Sequence, residues 1–114
     1  MFYNKKKTII TIIMVDYFSD LKECIEKIKD SKDPLIIYFT ASWCGPCKAL
    51  APRMESLSSQ INYSKIDVDQ NSDLSAKYGI RNVPCLVLVD ENGNELNRMV
   101  GVQPNETILN FYNG

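Results

Sequence analysis

Cys44 and Cys47 are separated by two residues and carry the clearest signal for chemistry in the sequence. An apolar run from Leu35 to Thr40 predicts a buried strand before them, and apolar residues at helical spacing predict a helix after them. Cys44 is therefore expected at a helix N-terminus, where unpaired backbone N–H groups and the helix dipole favour a thiolate. Cys47 lies one turn further on, within reach of a disulfide. The pair predicts reversible thiol–disulfide exchange.

Two other interpretations of the pair are weaker. Half of a zinc site would need a second cysteine pair or histidines, but the chain has no histidine and its other cysteines, Cys24 and Cys85, lie far apart. We therefore expect no bound metal. A purely structural disulfide remains open, although a chain of this length does not need one to fold.

Composition excludes several function classes. Without histidine, no Cys-His or Ser-His catalytic pair can form. A length of 114 residues predicts one globular domain, residues 1–114. The formal net charge of −1 provides no strong positive field, so no nucleic-acid partner is expected. No apolar stretch is long enough to span a membrane.

The N-terminal residues combine a basic and an apolar segment, since Lys5, Lys6 and Lys7 precede an apolar run, Thr8 to Val15. No small-residue cleavage site follows this run, which contains two threonines and is rich in β-branched residues. We interpret it as a strand rather than a secretory signal and expect a cytoplasmic protein.

Strand and helix patterns alternate along the chain and predict an α/β domain with helices on both sides of a mixed sheet. The predicted strands are Lys7 to Val15, Leu35 to Thr40, Asn62 to Asp67, Cys85 to Asp90 and Glu95 to Val100. The predicted helices are Tyr17 to Lys29, a helix from the Cys44 turn through Ile61 with Pro52 inside it, a short one from Ser72 or Asp73 to Gly79, and a final one from Pro104.

With these motifs in place, the chain resembles the thioredoxin family over nearly its whole length. The Cys-Gly-Pro-Cys form is more similar to thioredoxins than to disulfide isomerases or glutaredoxins. The residues that carry the resemblance are Phe39, Ala41, Trp43 to Lys48, Ala51-Pro52, Lys65 to Asn71, Tyr78 to Arg81, Val83-Pro84, Asn92-Gly93 and Gly101.

The resemblance implies a thioredoxin fold, with a central mixed five-stranded sheet flanked by four helices. It implies that Cys44 is the nucleophile and Cys47 the resolving thiol, with Gly45 and Pro46 setting the stiffness of the ring between them. Lys65 is implied as an aid to proton transfer.

The resemblance also implies how clients bind. The Val83-Pro84 bond is expected to be cis and to lie against the cysteine pair, with the Val83 backbone pairing with an extended client segment. A flat apolar docking surface is expected from Trp43, Gly45, Pro46, Pro84, Gly101 and Val102.

The function implied is that of a protein-disulfide reductase, an electron carrier in cell redox homeostasis that acts on disulfide-containing client proteins. The protein is expected to be a monomer. No bound cofactor is expected, because the chain has no flavin- or nicotinamide-binding fingerprint. A flavin- and NADPH-dependent thioredoxin reductase is then the expected electron donor. One alternative is a binding subunit whose active-site face docks a partner, with incidental thiols. A net oxidant or isomerase is disfavoured by the Gly-Pro dipeptide and the lack of a signal.

The sequence departs from the family at Tyr38, where thioredoxins usually carry a buried aspartate thought to help deprotonate the resolving cysteine. An ordinary phenol ionises near pH 10 and is a poor substitute. Either the tyrosine fills the site while Lys65 or water handles the proton, or client release is slower or altered in its pH dependence. Thr40 stands where many members have a second tryptophan.

The two remaining cysteines fit core positions. Cys85 follows Pro84, so the resemblance places it near the active pair, yet a small buried side chain in a strand is the favoured interpretation over a redox role. Cys24 falls on the apolar face of the predicted first helix, between Leu21 and Ile28, and is also expected in the core.

Overall fold

Four strands form one sheet in the part of the chain that the structure, a computed structural model, describes: Glu26, Lys29 and residues 32–114. The strands are β1 (Leu35–Thr40), β2 (Tyr63–Asp67), β3 (Cys85–Val89) and β4 (Glu95–Val100). Their order across the sheet is β2-β1-β3-β4. β1 runs parallel to β2 and antiparallel to β3, and β3 runs antiparallel to β4, so the sheet is mixed.

The central position of β1 follows from its composition. Every residue from Leu35 to Thr40 is buried, as expected of a strand covered on both faces. Because side chains alternate along a strand, Ile36 and Tyr38 enter one apolar cluster while Ile37 and Phe39 enter another. The sheet thus separates two cores.

Three complete helices accompany the sheet in the described residues: α1 (Gly45–Ser56), α2 (Ser72–Lys77) and α3 (Asn105–Asn113). Leu50 and Met54 of α1 and Ile108 of α3 are fully buried in the same cluster as Tyr38. Leu74 of α2 packs at the cluster on the opposite face. Helices therefore cover both faces, as the sequence predicted.

The turns follow their sequence signals. Gly93 adopts a φ of 82° between β3 and β4, and the Asp90 carboxylate accepts hydrogen bonds from the backbone N–H groups of Asn92 and Asn94, at 2.8 and 3.0 Å. This confirms the predicted Asn92-Gly93 hairpin. Gly79 follows α2 with a φ of 61°, a left-handed conformation that glycine adopts without strain.

One helix boundary was wrong. The helix predicted to run from the Cys44 turn through Ile61 ends at Ser56, and Leu57 caps it. The backbone then turns, with the Gln60 N–H donating to the Leu57 carbonyl at 2.8 Å. Leu57 and Ile61 are nonetheless buried, so these apolar residues mark the core rather than the helix length.

The α/β class and the mixed sheet are confirmed. The predicted first strand, Lys7 to Val15, lies outside the described residues, as does most of the helix predicted over Tyr17 to Lys29, of which Glu26 and Lys29 are helical. The described part therefore holds four of the five predicted strands and three of the four predicted helices in full. No described helix is long and apolar enough to cross a bilayer.

Candidate active site

Cys44 caps the N-terminus of α1. β1 ends at Thr40, and the chain turns so that the Cys44 N–H donates to the Ala41 carbonyl at 3.2 Å. Cys44 keeps an extended backbone, and its Sγ accepts a hydrogen bond from the Cys47 N–H at 3.1 Å. Pro46 occupies the first turn, where its missing N–H costs no helical bond. A thiolate on Cys44 would thus be stabilised by a backbone N–H and the helix dipole.

The two cysteines form a disulfide, with their Cα atoms 5.3 Å apart. Cys44 is 5% exposed and Cys47 1%. Ala41, Val68 and Val83 pack around them. The pair therefore lies at the edge of the apolar interior, with Cys44 on the outer side, and its Cα separation is in the range that a disulfide requires.

The Val83-Pro84 peptide bond is cis, which confirms that prediction, and it lies against the cysteine pair. The Val83 carbonyl oxygen is 3.5 Å from the Cys44 Sγ. Pro84 is buried, and its carbonyl accepts the Gly101 N–H at 2.9 Å. The loop before β3 and the end of β4 are thereby joined beside Cys44.

Trp43 stands out from this edge, 69% exposed. Its indole Nε1–H donates to the Asp69 carboxylate at 2.8 Å. Gly45 and Pro46 are exposed beside it, and Val102 is 37% exposed on the segment after β4. An exposed tryptophan held by a hydrogen bond provides a fixed apolar contact rather than a loose one.

Tyr38 lies beneath Cys47. Its ring is 1% exposed, and its hydroxyl donates to the Cys47 carbonyl oxygen at 3.1 Å. Burial raises the pKa of Tyr38, which outweighs the lowering effect of a hydrogen bond with Thr40. The phenol therefore stays neutral around pH 7 and acts as a donor.

A cavity of about 490 Å³ opens on the side of the site that faces β2. Cys47 and Tyr38 line it together with the exposed Lys65 and with Asp67. Lys65 and Cys47 thus line the same cavity, from which solvent can reach this side of the pair. Among the described residues, no group of three or more potential metal-ligating side chains occurs.

Cys85 is a free thiol near the start of β3, 1% exposed and packed with Phe39 and Tyr78 in the cluster on the sheet face opposite Tyr38. Burial raises the pKa of its thiol, against a lowering contribution from Arg98. This environment agrees with the predicted core role. Cys24 lies outside the described residues.

Comparison with known proteins shows which family this chain, with its cysteine pair at the start of α1, belongs to. A family model described as Thioredoxin matches residues 11–113. The chain belongs to the thioredoxin family. Thioredoxin from Mycoplasma genitalium is 35% identical over 103 residues, covering 88% of this chain and 99% of the relative. Thioredoxin H7 from Arabidopsis thaliana is 33% identical over 100 residues, covering 85% of this chain and 77% of the relative.

Solved structures agree with the sequence comparison. A mutant thioredoxin from Halobacterium salinarum NRC-1 superposes with a TM-score of 0.72 at 35% identity, covering 82% of this chain and 83% of that one. Schistosoma mansoni thioredoxin gives a TM-score of 0.72 at 29% identity, covering 82% and 85%. The thioredoxin fold and a function in dithiol–disulfide exchange are thereby confirmed for this chain, with Cys44 and Cys47 as its active-site pair.

Two contacts of this thioredoxin were missed from the sequence. Asp69 belongs to the stretch from Lys65 to Asn71 that carries the family resemblance, which gives no indication that its carboxylate accepts the Trp43 indole N–H. Because β1 and β2 are parallel, the loops after both strands lie at the same edge of the sheet, and this signal could have paired Trp43 with Asp69. The bond from Tyr38 to the Cys47 carbonyl had no comparable signal, because it depends on how α1 packs on the sheet.

Proposed function

We propose that Cys44 is the nucleophile and Cys47 the resolving thiol when this thioredoxin reduces disulfides in client proteins. The observation that supports these roles is the hydrogen bond from the Cys47 N–H to the Cys44 Sγ at the start of α1. That donor and the helix dipole favour negative charge on Cys44 rather than on Cys47.

The exchange proceeds in two steps. The Cys44 thiolate attacks one client sulfur, a Cys44–client disulfide forms, and the second client sulfur leaves as a thiolate. Cys47, having lost its proton, then attacks the Cys44 Sγ, which forms the Cys44–Cys47 disulfide and releases the first client sulfur. The client gains two electrons and the cysteine pair loses two.

Client binding is proposed at the surface formed by Trp43, Gly45, Pro46, Val83, Pro84, Gly101 and Val102. A cleft of about 250 Å³ between Trp43 and Val83 could receive a client side chain, with Ile80 and Arg81 in its walls. The Val83 backbone is proposed to pair with an extended client segment, a mode of recognition that needs little client sequence specificity.

Further proposals concern the redox cycle. The chain carries no cofactor-binding fingerprint of its own, so an external donor must return two electrons to the Cys44–Cys47 disulfide. The donor proposed is a flavin- and NADPH-dependent thioredoxin reductase. The protein works as a cytoplasmic monomer without a bound cofactor. Lys65, which lines the same cavity as Cys47, assists departure of the Cys47 proton by favouring the thiolate.

The test is a coupled assay with a thioredoxin reductase, NADPH and a protein disulfide, followed as NADPH oxidation. We expect sustained turnover with the wild type and none with the Cys44→Ser, Cys47→Ser double variant. If the folded wild type is reduced by chemical dithiols but reduces no client, the reductase role fails. A binding subunit would then be favoured, provided that client binding survives in the double variant.

A further inference from the structure

We propose that Tyr38 is a positioning residue for the resolving step, and that its hydroxyl holds the first turn of α1 so that Cys47 is aimed at Cys44. This inference rests on the proposed roles of the two cysteines. It assigns a function to the side chain that replaces the family's usual buried aspartate.

The rigidity of Tyr38 is the first support. It lies in β1, the strand between β2 and β3, where its partners in the ladder are Lys65 and Leu86. Its ring is 1% exposed, packs in the cluster that contains Leu50 and Met54 of α1, and tilts against Tyr63 with 6.4 Å between ring centroids. The hydroxyl therefore projects from a fixed point in the sheet.

A gap in the helical ladder of α1, directly after the residue that Tyr38 contacts, is the second support. In an α-helix the carbonyl of residue i accepts the N–H of residue i+4. Pro52 lies inside α1 and has no N–H, so the Lys48 carbonyl loses this helical bond. The turn that carries Cys47 is thus followed at once by a gap in the helical ladder. The bond of 3.1 Å from Tyr38 to the Cys47 carbonyl fastens that turn to the sheet.

The consequence appears in the second step of exchange. While Cys44 is bound to a client, no covalent bond fixes the distance between the Cys44 and Cys47 sulfurs. Cys47 must lose its proton to solvent base at the open cavity and attack the Cys44 Sγ in line with the client sulfur, which leaves with the electron pair. A reacting group that is poorly aligned loses rate steeply. The first step needs the Cys44 thiolate and the Cys47 N–H that contacts it within the same turn, and it does not require the Cys47 sulfur to be aimed at Cys44, so it should depend much less on this bond.

The hydroxyl acts by donating and not by exchanging a proton. Burial keeps the pKa of Tyr38 above its ordinary value, so the phenol remains protonated through the neutral range. Loss of the hydroxyl should change the rate of the resolving step without changing its dependence on pH.

Tyr38→Phe tests the proposal because it removes the hydroxyl and keeps the ring. Reduced protein is mixed with a client disulfide, quenched with acid, alkylated and analysed by intact mass, which separates free protein, mixed disulfide and oxidised protein. We expect the mixed disulfide to accumulate, with the resolving step slowed about fivefold to tenfold, the effect of losing the hydrogen bond to the Cys47 carbonyl. Its formation should stay within about twofold of wild type, and the slowing should be constant from pH 6 to 9.

Tyr112→Phe is the matched control, since Tyr112 packs against the same core cluster and its hydroxyl accepts a hydrogen bond from the Asn62 side chain at 3.1 Å. Both steps should be unchanged there. Equal slowing of both steps in Tyr38→Phe, or slowing of neither, would overturn the proposal. Failure of the wild type to form any mixed disulfide would instead overturn the proposed function.

A measurement on the wild-type chain covers the case in which Tyr38→Phe does not fold. Nuclear magnetic resonance of tyrosine-labelled protein should detect a slowly exchanging Tyr38 hydroxyl proton in both the reduced and the mixed-disulfide states. Fast exchange of that proton in the mixed disulfide would contradict the proposal.

Discussion

At the scale of single residues, the site depends on which polar groups face the two sulfurs. The Cys47 N–H donates to the Cys44 Sγ, and the Val83 carbonyl oxygen lies 3.5 Å from the same sulfur. One group favours the thiolate and the other can accept the proton of a thiol. Both groups contact the Cys44 Sγ, which supports the proposal that Cys44 is the nucleophile.

A residue-scale prediction concerns Trp43. Asp69→Ala removes the acceptor of the indole hydrogen bond, and the exposed ring then loses its fixed orientation. We expect KM for a protein disulfide to rise about threefold to tenfold, because a bond to a charged acceptor is lost and a docking contact becomes mobile. Steady-state assays with a protein disulfide and with a small aromatic disulfide measure the effect.

The small disulfide should react with Asp69→Ala at the wild-type rate, because it needs no docking surface. Asp73→Ala is the charge-matched control, since Asp73 is exposed on α2 and makes no contact with the indole that the structure records. A similar rise of KM in both variants would attribute the effect to lost charge and contradict the role of the Trp43 contact.

At the scale of elements, the parallel pairing of β1 and β2 gathers the site. The loops after both strands lie at one sheet edge, which brings Trp43 to Asp69, while antiparallel β3 begins at the same edge and supplies Val83 and Pro84. α1 starts there and points its N-terminus at this edge. One edge of the sheet and the N-terminus of α1 thus meet at the cysteine pair.

A prediction for α3 follows from its anchor. Ile108 is fully buried against the cluster that supports α1, so Ile108→Ala removes core packing and leaves a cavity. We expect the free energy of unfolding to fall by about 2–5 kcal/mol, measured by urea denaturation of the oxidised protein. The exposed neighbour Thr107→Ala should change it by no more than about 0.5 kcal/mol. A small effect at Ile108 would mean that α3 contributes little to the fold.

Elements were predictable from sequence where local signals were strong. The all-apolar run of β1, Gly93 in the hairpin and the limits of β4 at Glu95 and Val100 agree with the structure. The end of α1 was not predictable, because Leu57 and Ile61 continue the helical spacing while the backbone has already turned. Apolar periodicity reports burial, and burial continues past the last helical hydrogen bond.

At the scale of the whole molecule, two buried groups and one half-buried group that lose protons in alkali predict a loss of stability there: Cys85, Tyr38 and Tyr112. Burial raises the pKa of Cys85 above its ordinary value of 9.0 and those of Tyr38 and Tyr112 above 10.0. Between the unfolded and folded pKa values, the unfolded chain has released protons that the folded chain still binds. Stability is therefore fully present below about pH 9 and falls as the pH rises further.

Urea denaturation of the oxidised protein from pH 7 to 11 measures this dependence. We expect a plateau followed by a decline that begins near pH 9. Tyr112→Phe should show a shallower decline above pH 10, because one of the titrating phenols is gone. Stability that stays constant or increases to pH 11 would contradict the assigned burial of these groups.

The most direct test of the central claim is covalent trapping of a client disulfide by single-cysteine variants. Reduced Cys47→Ser should accumulate a mixed disulfide whose protein sulfur maps to Cys44, because the nucleophile is intact and the resolving thiol is missing. Reduced Cys44→Ser should form little or none over the same time. An adduct mapped to Cys47 in Cys44→Ser, or no adduct with either folded variant, would contradict the account of Cys44 as nucleophile and Cys47 as resolving thiol.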